Sequence, residues 1–109
     1  YNVMGVAKAA LETSVKYLSV DLGKNNIRVN AISAGPMKTI AGAAISGARH
    51  VYRYSEKIAP LQKNPDLQQV GNAALYLLSD ISSGVTGLTH YVDGGLKVVG
   101  IPSQDMVNI

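Results

Sequence analysis

Ile27-Arg28-Val29-Asn30-Ala31-Ile32-Ser33 alternates apolar and polar residues with β-branched members, and so reads as a strand. Ala34-Gly35-Pro36 ends it. What stands on either side decides the class. Upstream, Asn2 to Leu22 carries no proline and is rich in alanine and leucine. Val3, Val6, Ala7, Ala10, Leu11, Val15, Leu18 and Leu22 recur there at helical spacing, and Gly23 stands where a C-cap is expected. Downstream, Thr39 to Ala48 is made of small residues, and Gly42 and Gly47 break a weak helical pattern, so a short mobile helix or loop is expected. Helical spacing returns from His50 to Ala59 through Val51, Tyr54 and Ile58, until Pro60 stops it.

Asn64-Pro65-Asp66 offers an N-cap, a proline at the first helical position and an acid in the first turn. The helix it opens should run to about Leu78 and bury Leu67, Val70, Ala74, Leu77 and Leu78. Gly87 to Val92 reads as a second strand closed by an Asp93-Gly94-Gly95 turn, and from Lys97 onward the pattern fades. Helix, strand, helix, helix, strand is the grammar of an α/β fold with an open parallel sheet. Two strands do not make such a sheet, because helices must cover both of its faces. The expected architecture is therefore half of a doubly wound domain. The G-x-G-x-x-G fingerprint that would hold a pyrophosphate is absent.

Composition narrows the function. The 109 residues are 47% hydrophobic and 16% charged, which describes an ordinary soluble chain of one-domain size. The absence of cysteine excludes a disulfide framework and thiolate chemistry. A net charge of +3 with scattered basic residues argues against a nucleic-acid partner. No apolar run approaches the roughly 20 residues of a membrane span, so no membrane partner is expected. Lack of a targeting signal makes a cytoplasmic location the default. His50 and His90 lie too far from other ligand types to suggest a metal.

Tyr1 and Lys8, seven residues apart on a helix-forming stretch, are separated by two turns and nearly the same angle, so a phenol and an ammonium can face one cleft. Taken singly, such a tyrosine is a surface or packing residue and such a lysine a solvated charge. Four segments taken together say more: Tyr1-Asn-Val-Met-Gly-Val-Ala-Lys8, Arg28-Val-Asn-Ala-Ile-Ser-Ala-Gly-Pro36, Val70-Gly-Asn-Ala-Ala74, and Val85-Thr-Gly87 with Val92-Asp-Gly-Gly95. In this order they resemble the C-terminal part of the NADH-dependent enoyl-acyl carrier protein reductases of type II fatty acid synthesis. These are divergent short-chain dehydrogenases/reductases, and the resemblance covers roughly residues 1 to 100. Ordinary members of the superfamily carry Tyr-x3-Lys, whereas the residue four after Tyr1 is Gly5; the Tyr-x6-Lys spacing is that of the enoyl reductases. Ser33-Ala-Gly-Pro-Met37, where most other relatives read Asn-Pro-Gly, agrees.

The resemblance implies a Rossmann-like doubly wound fold of which residues 1–109 are the C-terminal portion, the first half being absent. Residues 38–59 would form the substrate-binding loop and helix, and residues 97–109 a C-terminal tail. It implies Tyr1 as the hydrogen-bond donor to the thioester oxygen and Lys8 as the residue holding the nicotinamide ribose hydroxyls. Met37, Lys38, Thr39, Ile40 and Ala41 would run along the nicotinamide amide and the pyrophosphate; Thr39 reads equally as an N-cap. Met4, Ile45 and Val51 are candidates for the acyl chain. Arg49 and Arg53 read first as a solvated helix face and second as a contact for the acidic carrier protein.

NADH is the implied cofactor, with NADPH left open because the residue that reads the adenosine ribose would lie upstream. The implied substrate is an enoyl group on acyl carrier protein, and the implied assembly a homotetramer. The first βαβ unit and the further tyrosine of the family are not in this sequence, so the 109 residues alone are expected to be inactive. Two alternatives stand beside this reading: a sister reductase acting on a ketone or alcohol, and a non-catalytic oligomerisation fragment associating through Gly5, Ala7, Ala9 and Ala10.

Overall fold

The computed structural model describes residues 1–107; the last two positions of the expected 97–109 tail lie outside the described residues. Along the chain run α1 (Asn2–Gly23), β1 (Ala31–Ala34), α2 (Ile40–Ala43), α3 (Ala48–Ile58), α4 (Leu67–Leu78) and β2 (Thr89–Val92). Single 3-10 turns stand at Asp80–Ser82 and Leu96–Val98. β1 and β2 form a two-stranded sheet. The Ala31 N–H donates to the Leu88 carbonyl and the Gly35 N–H to the Val92 carbonyl, so pairing advances in the same direction along both strands and the sheet is parallel. No helix among the described residues is long and apolar enough to cross a membrane. The chain divides into two compact units, Tyr1–Ile32 with Ala73–His90, and Ser33–Asn72 with Tyr91–Ile109.

In the first unit α1 runs one residue past the expected end. Gly23 is helical, and Asn26 takes the left-handed conformation instead, at φ 59°. The Ile27 N–H returns to the Leu22 carbonyl and the Asn26 N–H to the Gly23 carbonyl, a Schellman ending with asparagine in the place more often held by glycine. β1 begins four residues later than the alternating pattern does. Over the missing span side chains take up part of the ladder beside the Gly87 N–H bond to the Val29 carbonyl: Thr86 Oγ1 accepts from the Val29 N–H, and Asn30 Oδ1 accepts from the Leu88 N–H. Arg28 ties the end of α4 to the loop beyond it, its guanidinium donating to Ser82 Oγ and to the carbonyls of Ser79 and Val85. Such charge-assisted bonds contribute about 1.5–3 kcal/mol each.

Of the stripe expected to be buried on α1 only Val15 is, at 7% exposed, while Val3 remains 86% exposed. Likewise Leu77 is buried on α4, but Leu67 and Leu78 are not. The periodicity marked faces able to be covered; these described residues cover only part of them.

In the second unit α2 and α3 pack against each other. α3 starts two residues earlier than expected, after Gly47 at φ 78°. Its buried face also differs. Ser55 and Ile58 are buried, whereas Val51 and Tyr54 are exposed, because the packed spacing runs through Ala48, Tyr52, Ser55 and Ala59. Asn64 does not cap α4. Its amide donates to the Tyr52 carbonyl and its oxygen pairs with Ser55 Oγ, fastening the following loop onto α3. Asp66 is the cap instead: its carboxylate accepts from the Gln69 N–H while Gln69 Oε1 accepts from the Asp66 N–H, a reciprocal capping box.

The Asp93-Gly94-Gly95 turn is present, with positive φ at both glycines. Asp93 Oδ1 accepts from the Gly95 N–H and Oδ2 from the Lys97 N–H, so the same aspartate starts the turn that follows.

Candidate functional site

Tyr1 occupies the N-cap position of α1, where its carbonyl accepts from the Gly5 N–H at 2.9 Å and its side chain takes no part in capping. The ring is 81% exposed. Lys8 lies two turns along, also exposed, and Met4 lies between them. At 3.6 residues per turn these three share one stripe of α1, with Tyr1 and Lys8 about 10 Å apart along the axis. Both are long side chains that can approach one ligand from the same side. The regular helix has no glycine or proline break that would rotate one away from the other; Gly5 sits inside it.

The second unit holds a pocket of about 590 Å³ between the segment after β1 and α3. Met37, Lys38, Thr39 and Ile45 of the sequence-derived candidates line it, and Arg49 and Arg53 do as well. Ile40, Ala41 and Val51 do not; Ile40 is 95% exposed and Val51 lies on the outer side of α3. Tyr52 and Glu56, which are not among the sequence candidates, also line the pocket. Their signal was available: Ala48, Tyr52 and Glu56 recur every four residues, which puts them on one helical stripe. The stronger apolar signal of Val51, Tyr54 and Ile58 obscured it.

Three cations against one carboxylate make this pocket a place for an anion. Thr39 is the N-cap of α2, its Oγ1 accepting from the Gly42 N–H at 2.9 Å, and that use leaves the hydroxyl proton free to donate. A Cβ at Gly42 would lie 3.0 Å from the same oxygen, a tight contact beside the cap. A hydroxyl donor and three positive side chains suit the negative charge of a dinucleotide pyrophosphate, so the residues present fit that group. No cluster of three or more His, Asp or Glu able to hold a metal occurs among the described residues.

Comparison with known proteins bears on both units. Residues 1–97 match the family described as Enoyl-(Acyl carrier protein) reductase. Enoyl-[acyl-carrier-protein] reductase [NADH] 1 of Rhizobium meliloti is 58% identical over 109 residues, covering 100% of this chain and 40% of that protein. The NADH enoyl reductase FabI of Rickettsia typhi is 58% identical over 100 residues, covering 92% of this chain and 38% of its own length. The crystal structure of FabI from Candidatus Liberibacter asiaticus superposes with a TM-score of 0.90 at 54% identity, covering 94% of this chain and 40% of that one. That of the reductase from Anaplasma phagocytophilum in complex with NAD gives 0.88 at 58% identity, covering 94% and 39%. The fold is thus a Rossmann-like α/β fold, and this chain spans about 40% of the length of these relatives. With Tyr-x6-Lys on α1 and a family match running from Tyr1 to Lys97, the chain belongs to the enoyl-(acyl carrier protein) reductase family.

Proposed function

We propose that the protein carrying this chain reduces the trans-2 double bond of an enoyl thioester on acyl carrier protein, with NADH as reductant, in type II fatty acid biosynthesis. The observation that carries the reading is the shared stripe of Tyr1 and Lys8 at the start of α1, in a chain of this family. Bound NADH supplies the hydride that adds to the β-carbon. Negative charge then gathers on the thioester oxygen, and the Tyr1 phenol donates a hydrogen bond to it, stabilising the enolate where the charge develops. A proton added at the α-carbon completes the saturated thioester. Lys8 binds the nicotinamide ribose hydroxyls.

Met37 to Ala41 follow the nicotinamide amide and the pyrophosphate, with Lys38 and the Thr39 hydroxyl on the anionic part. Met4, Ile45 and Val51 contact the acyl chain, Val51 from the outer side of α3. Residues 38–59 act as the loop and helix that exclude water from the reaction. The assembly is a homotetramer in the cytoplasm.

The test is enoyl-thioester-dependent oxidation of NADH by the protein carrying this chain. Tyr1→Phe keeps the ring and removes the donor, so kcat should fall about 100-fold or more. Lys8→Met should raise the KM for NADH. Full activity in Tyr1→Phe, or faster turnover of a β-ketoacyl than of an enoyl thioester, would overturn the reading.

A further inference from the structure

The ammonium of Lys38 sits 5.0 Å from the centroid of the Tyr52 ring, and both residues line the pocket of the second unit. The two ends of this contact differ in freedom. Tyr52 stands on a helix that is fastened from behind: its carbonyl accepts from Asn64 Nδ2 at 2.7 Å, and Ser55 Oγ, 2% exposed, lies 2.7 Å from Asn64 Oδ1 and 2.9 Å from the same carbonyl. The loop that carries Asn64 is itself pinned, since the Leu61 N–H donates to the Gly94 carbonyl and Lys63 O lies 2.6 Å from where a Cβ of Gly94 would be. Lys38, by contrast, is an exposed side chain on the segment between β1 and α2. A ring on a fastened helix therefore faces an exposed cation. The ring face attracts the Lys38 ammonium in a pocket that also holds Arg49 and Arg53, where Glu56 is the one carboxylate.

We propose that Tyr52 is a positioning residue: its ring seats the Lys38 ammonium and thereby holds the Met37–Ala43 segment against α3, fixing the pocket wall assigned above to the anionic part of the cofactor. The inference rests on that assignment for its catalytic meaning, while the contact itself is independent of it. Amide hydrogen exchange reports the wall directly, through the N–H groups of Gly42, Ala43 and Ile45, which are bonded to Thr39 Oγ1, Thr39 O and Gly42 O. In the full protein without ligand, Tyr52→Leu should speed their exchange roughly two- to fivefold, and Tyr52→Phe, which keeps the ring face, should restore the wild-type rate. Lys38→Met should have the effect of Tyr52→Leu, and the double variant should add nothing further. The KM for NADH should rise in Tyr52→Leu by a similar factor while kcat holds.

Unchanged exchange in Tyr52→Leu, or effects of the two substitutions that multiply, would overturn the proposal. A wild-type protein that reduces no enoyl thioester would instead sink the function proposed above and leave the exchange result standing.

Discussion

A carbon atom added at Gly94 would come to 2.6 Å from the carbonyl oxygen of Lys63, and at Gly95 to 2.9 Å from the ring of Pro60. Both glycines also hold positive φ, 65° and 88°. Backbone is the obstacle at Gly94, and it cannot swing aside as a long side chain can. Gly94→Ala should therefore cost about 2 kcal/mol or more, read from the denaturant midpoint, whereas Gly84→Ala, with nothing within 4 Å, should stay within about 0.5 kcal/mol. Equal effects at the two positions would show that the close approach is not a constraint. The sequence made the turn legible through Asp93-Gly94-Gly95, but not this second duty of its glycines, which depends on a loop far away along the chain. The shared stripe of Tyr1 and Lys8 was legible for the opposite reason: it lies along one helix, where spacing alone fixes the angle.

Elements were legible where local chemistry decides them and shifted where tertiary partners compete. Asn64-Pro65-Asp66 announced a helix start, and α4 does follow, but Asn64 is spent on Ser55 and Tyr52 of α3, so the cap moves to Asp66. The D-x-x-Q pattern of Asp66 and Gln69 carried that outcome in the sequence. Asp66→Ala should cost about 1 kcal/mol of stability by loss of the cap. Gln69→Ala should cost less, and the double variant should fall short of the sum because the two side chains serve each other. Strict additivity in thermal or denaturant melts would remove the reciprocal box. The strand at β1 shortened for a related reason: Thr86 and Asn30 side chains take up ladder positions that a propensity reading assigns to backbone. On α3 the apolar signal of Val51 and Tyr54 pointed away from the packed side, and a buried serine held by an asparagine across a loop leaves no hydrophobic trace.

At the scale of the molecule the alternation of helices and strands was legible, and so was the insufficiency of two strands. A parallel sheet is stable when both faces are covered by helices and flanked by further strands. Among the described residues the buried apolar side chains are Val15, Ile58, Ala59 and Leu77, while Val3, Val6, Leu11 and Val20 of α1 remain exposed. Fully burying a side chain of this kind contributes about 1.5–3 kcal/mol, and so small a set does not offset the conformational entropy of ordering a chain of this length. The solved relatives offer a scale, since the chain spans about 40% of their length and superposes closely on that portion. The geometry of each element is thus that of a fold whose cohesion is shared more widely than these residues. A polypeptide of these 109 residues produced by itself should bind a hydrophobic dye, exchange its amides rapidly throughout α1, and melt without a sharp transition. A cooperative melt with an unfolding enthalpy near the ordinary value of about 0.7 kcal/mol per residue would show instead that the two units hold themselves together, and that the exposed stripe of α1 is a surface in its own right.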